Sequence, residues 1–198
     1  MTPSLKLELE AELNKNLALE ARPEVRKVFQ RAFQKKKNEM IAEFLNHPVT
    51  IEIKGGVNAT NISGTLGGGS GNLFSFIGFN AGDDPIEPIL RLLESTNFDY
   101  VRASKKRINY RINIPTAKDI FSATPMPWAS GRSWAKGIET GISGLGFYLR
   151  KQTDSSRSGI GIQSPRRVRK SGAKFKNTSY ISAFLKKYKK EFENLQVL

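Results

Sequence analysis

The chain has 198 residues, a formal net charge of +14, one histidine and no cysteine. Disulfides, thiolate zinc sites and Cys/His nucleophilic pairs are therefore excluded, and a Ser-His-Asp triad would have to use His47. Hydrophobic residues make up 38% of the chain, enough for a buried core. No apolar run approaches the ~20 residues of a bilayer span, so no membrane association is expected.

Residues 5–19 space Leu5, Leu9, Leu13 and Leu17 four apart among Glu and Lys, which predicts a helix. This opening has no continuous apolar stretch of the secretory kind, and cytoplasmic synthesis is expected. Arg22-Pro23 breaks the pattern, and Pro23 suits the first turn of a second helix. There Val25, Val28, Phe29, Ala32 and Phe33 share a face, followed by Met40, Ile41, Phe44 and Leu45. Lys35, Lys36 and Lys37 read better as a solvated face than as phosphate contacts.

His47-Pro48 ends that helix, and Val49, Ile51 and Ile53 alternate as in a strand. Residues 55–72 are glycine-rich and small, with Gly67, Gly68 and Gly69 at the centre, and predict a mobile loop or an arm ordered by assembly. They lack the Lys-Ser/Thr of a P-loop and the third glycine of a dinucleotide fingerprint. LFSFIGF predicts another strand. Asp83-Asp84-Pro85 marks a helix start with acids at the positive end of its dipole, and Ile86, Ile89, Leu90 and Leu93 form its apolar stripe.

The clearest period-two signal follows. Ile108, Tyr110, Ile112 and Ile114 alternate with Asn109, Arg111 and Asn113, which predicts a hairpin with YVRAS. Ala117 to Ser122 reads as a short helix. From Ser133, Trp134, Ile138, Ile142, Leu145 and Leu149 recur at helical intervals, but Gly137, Gly141, Gly144 and Gly146 demand either a very close backbone neighbour or a break. Residues 151–177 are polar and basic. Ile181, Phe184, Leu185, Tyr188 and Phe192 then form one face of a lysine-rich amphipathic helix, with a cap expected at Asn177 or Thr178.

The fold expected is α+β, a small mostly antiparallel sheet packed by helices. Its parts are an N-terminal helical extension (1–22), a core (23–124), and a Gly/aromatic segment with basic arm and C-terminal helix (125–198).

Charge is the strongest local signal. Residues 1–99 hold eleven Lys/Arg against thirteen Asp/Glu, and residues 100–198 hold twenty-one against five. Arg150, Lys151, Arg157, Arg166, Arg167, Arg169, Lys170, Lys174 and Lys176 face Asp154 alone across the arm. Such a run suits non-specific contact with nucleic-acid phosphates or an acidic protein, and glycine-flanked positions are poor platforms for reading bases. A solvated tail is the plain alternative. Met126, Trp128, Arg132 and Trp134 lie in a Pro/Gly-punctuated stretch and, with the three loop glycines, are candidate interface residues; core packing competes equally for the aromatic ones. Glu52-Ile53-Lys54 on a strand would match the E-x-K element of Mg²⁺-dependent nucleases, though no matching upstream Asp is present. No metal or other cofactor is called for.

Helix, alternating strand, Gly-rich loop, then GNLFSFIGF and GDDPI resemble the tail-completion and neck proteins of tailed bacteriophages. Ser70-Gly71-Asn72-Leu73 stands where those families carry a T/S-G-N-L element entering a strand, and MPWASGRSWAKGIETGISGLGFYL with the Ser/Arg-rich stretch after it is similar to their C-terminal part. The resemblance spans residues 20–190; the Leu/Glu segment before it departs from the pattern. It implies a non-enzymatic structural protein of the virion at the head–tail junction or upper tail. Such a protein forms a homo-oligomeric ring of six copies, binds neighbouring neck and tail proteins, and surrounds the packaged DNA. The alternatives are a non-specific DNA- or RNA-binding protein and a Mg²⁺-dependent nuclease.

Overall fold

In the computed structural model, residues 22–66, 71–104, 107–141, 149–150, 162–163 and 175–195 are described. The leucine-spaced segment 5–19 and Gly67, Gly68 and Gly69 lie outside them. The described chain is mixed helix and strand, with small two-stranded antiparallel sheets packed by helices.

Helix α1 (Arg22–Leu45) takes Pro23 in its first turn and buries Phe29, Phe33, Met40 and Phe44 along one stripe. Val28, expected on that face, is exposed. Proline at 48 disfavours helical geometry at His47 and ends α1. The next segment is not a strand. It forms helix α2 (Pro48–Lys54), with Pro48 in the first turn and His47 Nδ1 accepting from the Val49 amide at 3.2 Å. Val49, Glu52 and Ile53 turn inward and Ile51 outward, so the period is helical despite the alternating letters.

Two buried polar side chains organise the loop that follows. The Glu52 carboxylate, fully buried, accepts the amides of Ser63 at 2.8 Å and Leu73 at 2.7 Å. Asn72 donates to the carbonyls of Val57 and Ala59 and accepts from Ser75. Asn61 clasps Leu66, and Thr65 and Leu66 are themselves buried. Residues 55–66 are thus tied to the body, contrary to the expectation of a mobile loop. LFSFI likewise forms helix α3 (Leu73–Ile77) rather than a strand, capped by Asn72 and ended by Gly78 at φ +94°, a value only glycine adopts without strain.

Helix α4 (Glu87–Glu94) begins as the sequence predicts, with Asp84 accepting the amides of Ile86 and Glu87 at 3.1 Å. Its far end is closed from another element. Lys37 of α1 donates to the Glu94 carbonyl and, at 2.9 Å, to that of Thr96. Strands β1 (Asn97–Ser104) and β2 (Arg107–Asn113) form the expected hairpin, pairing Phe98 with Ile112 and Tyr100 with Tyr110. Phe29 stacks on Tyr110 at 4.3 Å and meets Phe98 edge-on, which fixes the hairpin to α1.

Helix α5 (Ala117–Ser122) carries a Thr116/Asp119 capping box. The short pair β3 (Pro125–Met126) and β4 (Ala129–Ser133) leads into α6 (Trp134–Thr140), whose N-cap is Ser133. Gly141, at φ +94° and ψ 135°, stops α6 well before Leu149, which lies in a strand. Of the two readings of its glycines, the break holds. β5 (Leu149–Arg150) pairs antiparallel with β6 (Ile162–Gln163). Helix α7 (Ile181–Glu193) buries Ile181, Phe184, Leu185, Tyr188 and Phe192 against α1 and its neighbours. Each such side chain contributes about 1.5–3 kcal/mol. Neither Asn177 nor Thr178 caps α7. Glu139 of α6 reaches across instead and accepts from both the amide and the hydroxyl of Ser182 at 2.6 Å. No described helix is long and apolar enough to cross a membrane.

Candidate nucleic-acid interface

The basic segment is held at both ends by short-range contacts. On the outgoing side, α6 stops at Gly141. On the returning side, Phe175 bridges Leu66, the Lys176 amide donates to the Thr65 carbonyl at 2.8 Å, and the Thr178 amide to that of Ile138 at 3.1 Å. Phe175 also lies parallel to Phe76, ring centres 5.9 Å apart. A Cβ built on Gly141 would stand 3.4 Å from Asn177 Oδ1, so exit and return adjoin. The described residues on either side of the basic segment thus adjoin one another, and between them β5 pairs with β6. Phe175, the one aromatic between Arg150 and Lys176 in the sequence, pins this junction to Leu66 and Phe76.

Of the candidate phosphate-contacting cations, Lys176 is exposed at this return and Arg150 stands in β5. Lys151, Arg157, Arg166, Arg167, Arg169, Lys170 and Lys174 lie outside the described residues.

Directly after the return comes α7, whose lysines fall into two groups. Lys187 faces α1 and pairs with Glu43 at 2.6 Å, while Glu191 accepts from Lys36 at 3.1 Å. Lys36 also holds Glu39, so it is not the wholly solvated side chain expected. Tyr188 donates to Glu43 at 2.6 Å; burial, then that carboxylate, push its phenol well above the usual range, so it stays a donor. Hydrogen bonds from Lys187 and then Tyr188 hold the Glu43 carboxyl below its ordinary value. Lys186, Lys189 and Lys190 point away from this seam, are exposed, and have no carboxylate partner among the described residues. The sequence shows a lysine-rich face but not this division, which depends on acids supplied by α1, more than a hundred residues earlier.

The proposed interface residues are distributed differently from expectation. Trp134 is 1% exposed and Met126 is 6% exposed, both within the core. Trp134 packs edge-on to Phe79 and near Tyr180, filling the space between α3 and α7. Both are corrected from interface to core residues. Trp128 is half-buried, its indole donating to the Ile77 carbonyl at 2.7 Å. Arg132, on β4, is exposed.

The E-x-K reading is also corrected. Glu52 and Lys54 lie on a helix, and both Glu52 oxygens are occupied by backbone amides. Among the described residues no group of three His, Asp or Glu could hold a metal ion. His47 is half-buried between α1 and α7, capping α2 beside Tyr180. No family model, no curated protein and no solved structure matches this chain.

Proposed function

We propose that this protein is a structural component of a tailed-phage virion, at the neck or upper tail, that assembles as a homo-oligomeric ring around the DNA path. It has no catalytic role on this reading. The α+β body, with its N-terminal helical extension, carries the ring contacts, and the basic arm reaches a polyanion or an acidic neighbour once subunits are together. Six copies are the number the family resemblance implies, and neighbouring neck and tail proteins are the partners.

One observation carries the proposal. Residues 142–174 hold eight Lys/Arg against Asp154 alone, and the residues that flank them, Gly141 and 175–178, adjoin at one anchored point of a helical body. A charged loop tied at both ends can reach a neighbour without loosening the core that bears it, and closed rotational symmetry would repeat that loop around a central path. The motifs shared with neck proteins point the same way. Glu52, bound to two amides, gives the nuclease alternative little support.

Mass photometry of the purified full-length chain, alone and mixed with candidate neck proteins, tests the ring. Particles of a fixed multiple of 22.1 kDa are expected. A monomer under every condition, including with those proteins, would sink it.

A further inference from the structure

We infer that the outward face of α7 is a docking surface for the phosphate backbone of duplex DNA, with Lys186, Lys189 and Lys190 as its contacts. This deepens the proposal of a DNA-surrounding ring and rests on it for the identity of the polyanion.

Charge arrangement supports it. Of the acids near α7, Glu39, Glu43 and Glu191 are engaged with Lys36 and Lys187 on the seam with α1, and Glu139 with Ser182. The opposite face offers Ser182, Ala183, Lys186, Lys189 and Lys190, with Glu193 at its end. Lysines three and four residues apart on a helix repel one another; Glu193, three residues beyond Lys190 and four beyond Lys189, offsets this only in part, since none of the trio forms an ion pair among the described residues. An external anion removes the repulsion.

Shape and chemistry narrow the anion. Lys186 and Lys190 stand about 6 Å apart along the axis, one turn of helix. Flexible lysine stems at that spacing reach neighbouring phosphates, which a strand repeats every ~3.4 Å of duplex axis. Glu139 already occupies Ser182 on the first turn, so the contacts fall on the later turns, which carry the three lysines. The face has no Arg, Asn or Gln to read base edges, so contact is with the backbone and independent of sequence.

The test uses the full chain and a fluorescent random-sequence duplex of about 30 base pairs, titrated by anisotropy across a range of salt. Each phosphate contact contributes about 0.9 to the slope of log affinity against log salt. The triple variant K186Q/K189Q/K190Q is expected to lower that slope by about 2 to 3, and to weaken binding at least tenfold at low salt. A control triple, K54Q/K118Q/K136Q, removes the same charge from exposed positions on α2, α5 and α6 and is expected to leave the slope unchanged. An unaltered slope in the α7 variant overturns the inference. So does an equal fall in both variants, because the duplex would then sense only net charge, and so does a parent chain that fails to bind at low salt. Mass photometry of the same samples separates the two ideas: DNA contact through α7 by a chain that never forms rings keeps this inference and removes the ring.

Discussion

A buried carboxylate has to be answered by donors, and Glu52 shows how far one can organise a chain. Its two amide partners come from residues 11 and 21 positions later, so one side chain binds both ends of a glycine-rich loop to α2. Both carboxyl oxygens are thereby satisfied, as a buried polar group requires. His47 does comparable work at the other end of α2, with a titration attached. Its Nδ1 must stay unprotonated to accept from Val49, and its ring also hydrogen-bonds the Ser179 backbone. Burial pushes its pKa below 6.5; the Ser179 contact and then the Glu43 charge oppose this without reversing it. The unfolded chain therefore binds the proton more readily. Stability is complete above pH ~6.5 and declines as pH falls toward the lower folded-state value. The carboxylates of Glu24, Glu39, Glu43 and Asp119 are all lowered, so they act only below their ordinary values of 4.5 and 3.8. Urea unfolding between pH 7.5 and 5.5 isolates the histidine. A falling free energy is expected for the parent chain and a flat profile for His47→Asn, whose amide oxygen can keep the cap without titrating. Equal slopes in the two would refute it.

Among the elements, α3 is the one whose identity rests most on a single residue. Asn72 caps it through Oδ1 and, through Nδ2, holds two carbonyls of the preceding loop. Asn72→Ala is expected to lower stability by about 1–2 kcal/mol, about 1 for the cap and the rest for two part-buried carbonyls that lose their donor. Asn72→Asp keeps the acceptor but loses the donor, and is expected to be nearly as damaging. Urea midpoints at constant m check both, and a neutral Asp variant would reduce the role of Asn72 to capping. Legibility divides along the same line. Long, strongly patterned elements were readable: α1, the β1–β2 hairpin, and α7 all follow their apolar spacing. The two short apolar runs at 49–53 and 73–77 were not, because strand and helix templates both fit a run of five. Local signals did exist, Pro48 after a capping His47 and Asn72 with Gly78 beyond the last turn. What tips α2 toward helix, however, is Glu52 turning inward to amides the local sequence does not reveal. Trp134 was open between core and interface, because helical spacing from Ser133 was legible but what that helix faces was not; the helix drives the indole between α3 and α7.

At the scale of the whole molecule, the asymmetry of charge was legible and its geometry was not. Composition alone divides the chain into a slightly acidic first half and a strongly basic second half. Folding mixes them, because α7 seats Lys187 on Glu43 of α1 and turns Lys186, Lys189 and Lys190 outward. The adjoining exit and return at Gly141 and Asn177 add a consequence for architecture. If the anchors at Phe175, Lys176 and Thr178 suffice, residues 142–174 contribute to reach and charge rather than to the fold. Joining Gly141 to Phe175 by a Gly/Ser linker of about six residues is then expected to preserve cooperative thermal unfolding. Closing so much shorter a loop should add up to about 1.5 kcal/mol of stability from chain entropy alone. The same variant loses eight cations and one acid, so its salt-dependent retention on duplex DNA should drop to what Lys176 and the α7 lysines supply. Calorimetry distinguishes the cases. A broad, non-cooperative transition would mean that the excised residues complete the core, and the picture of a charged loop carried on an independent body would be wrong.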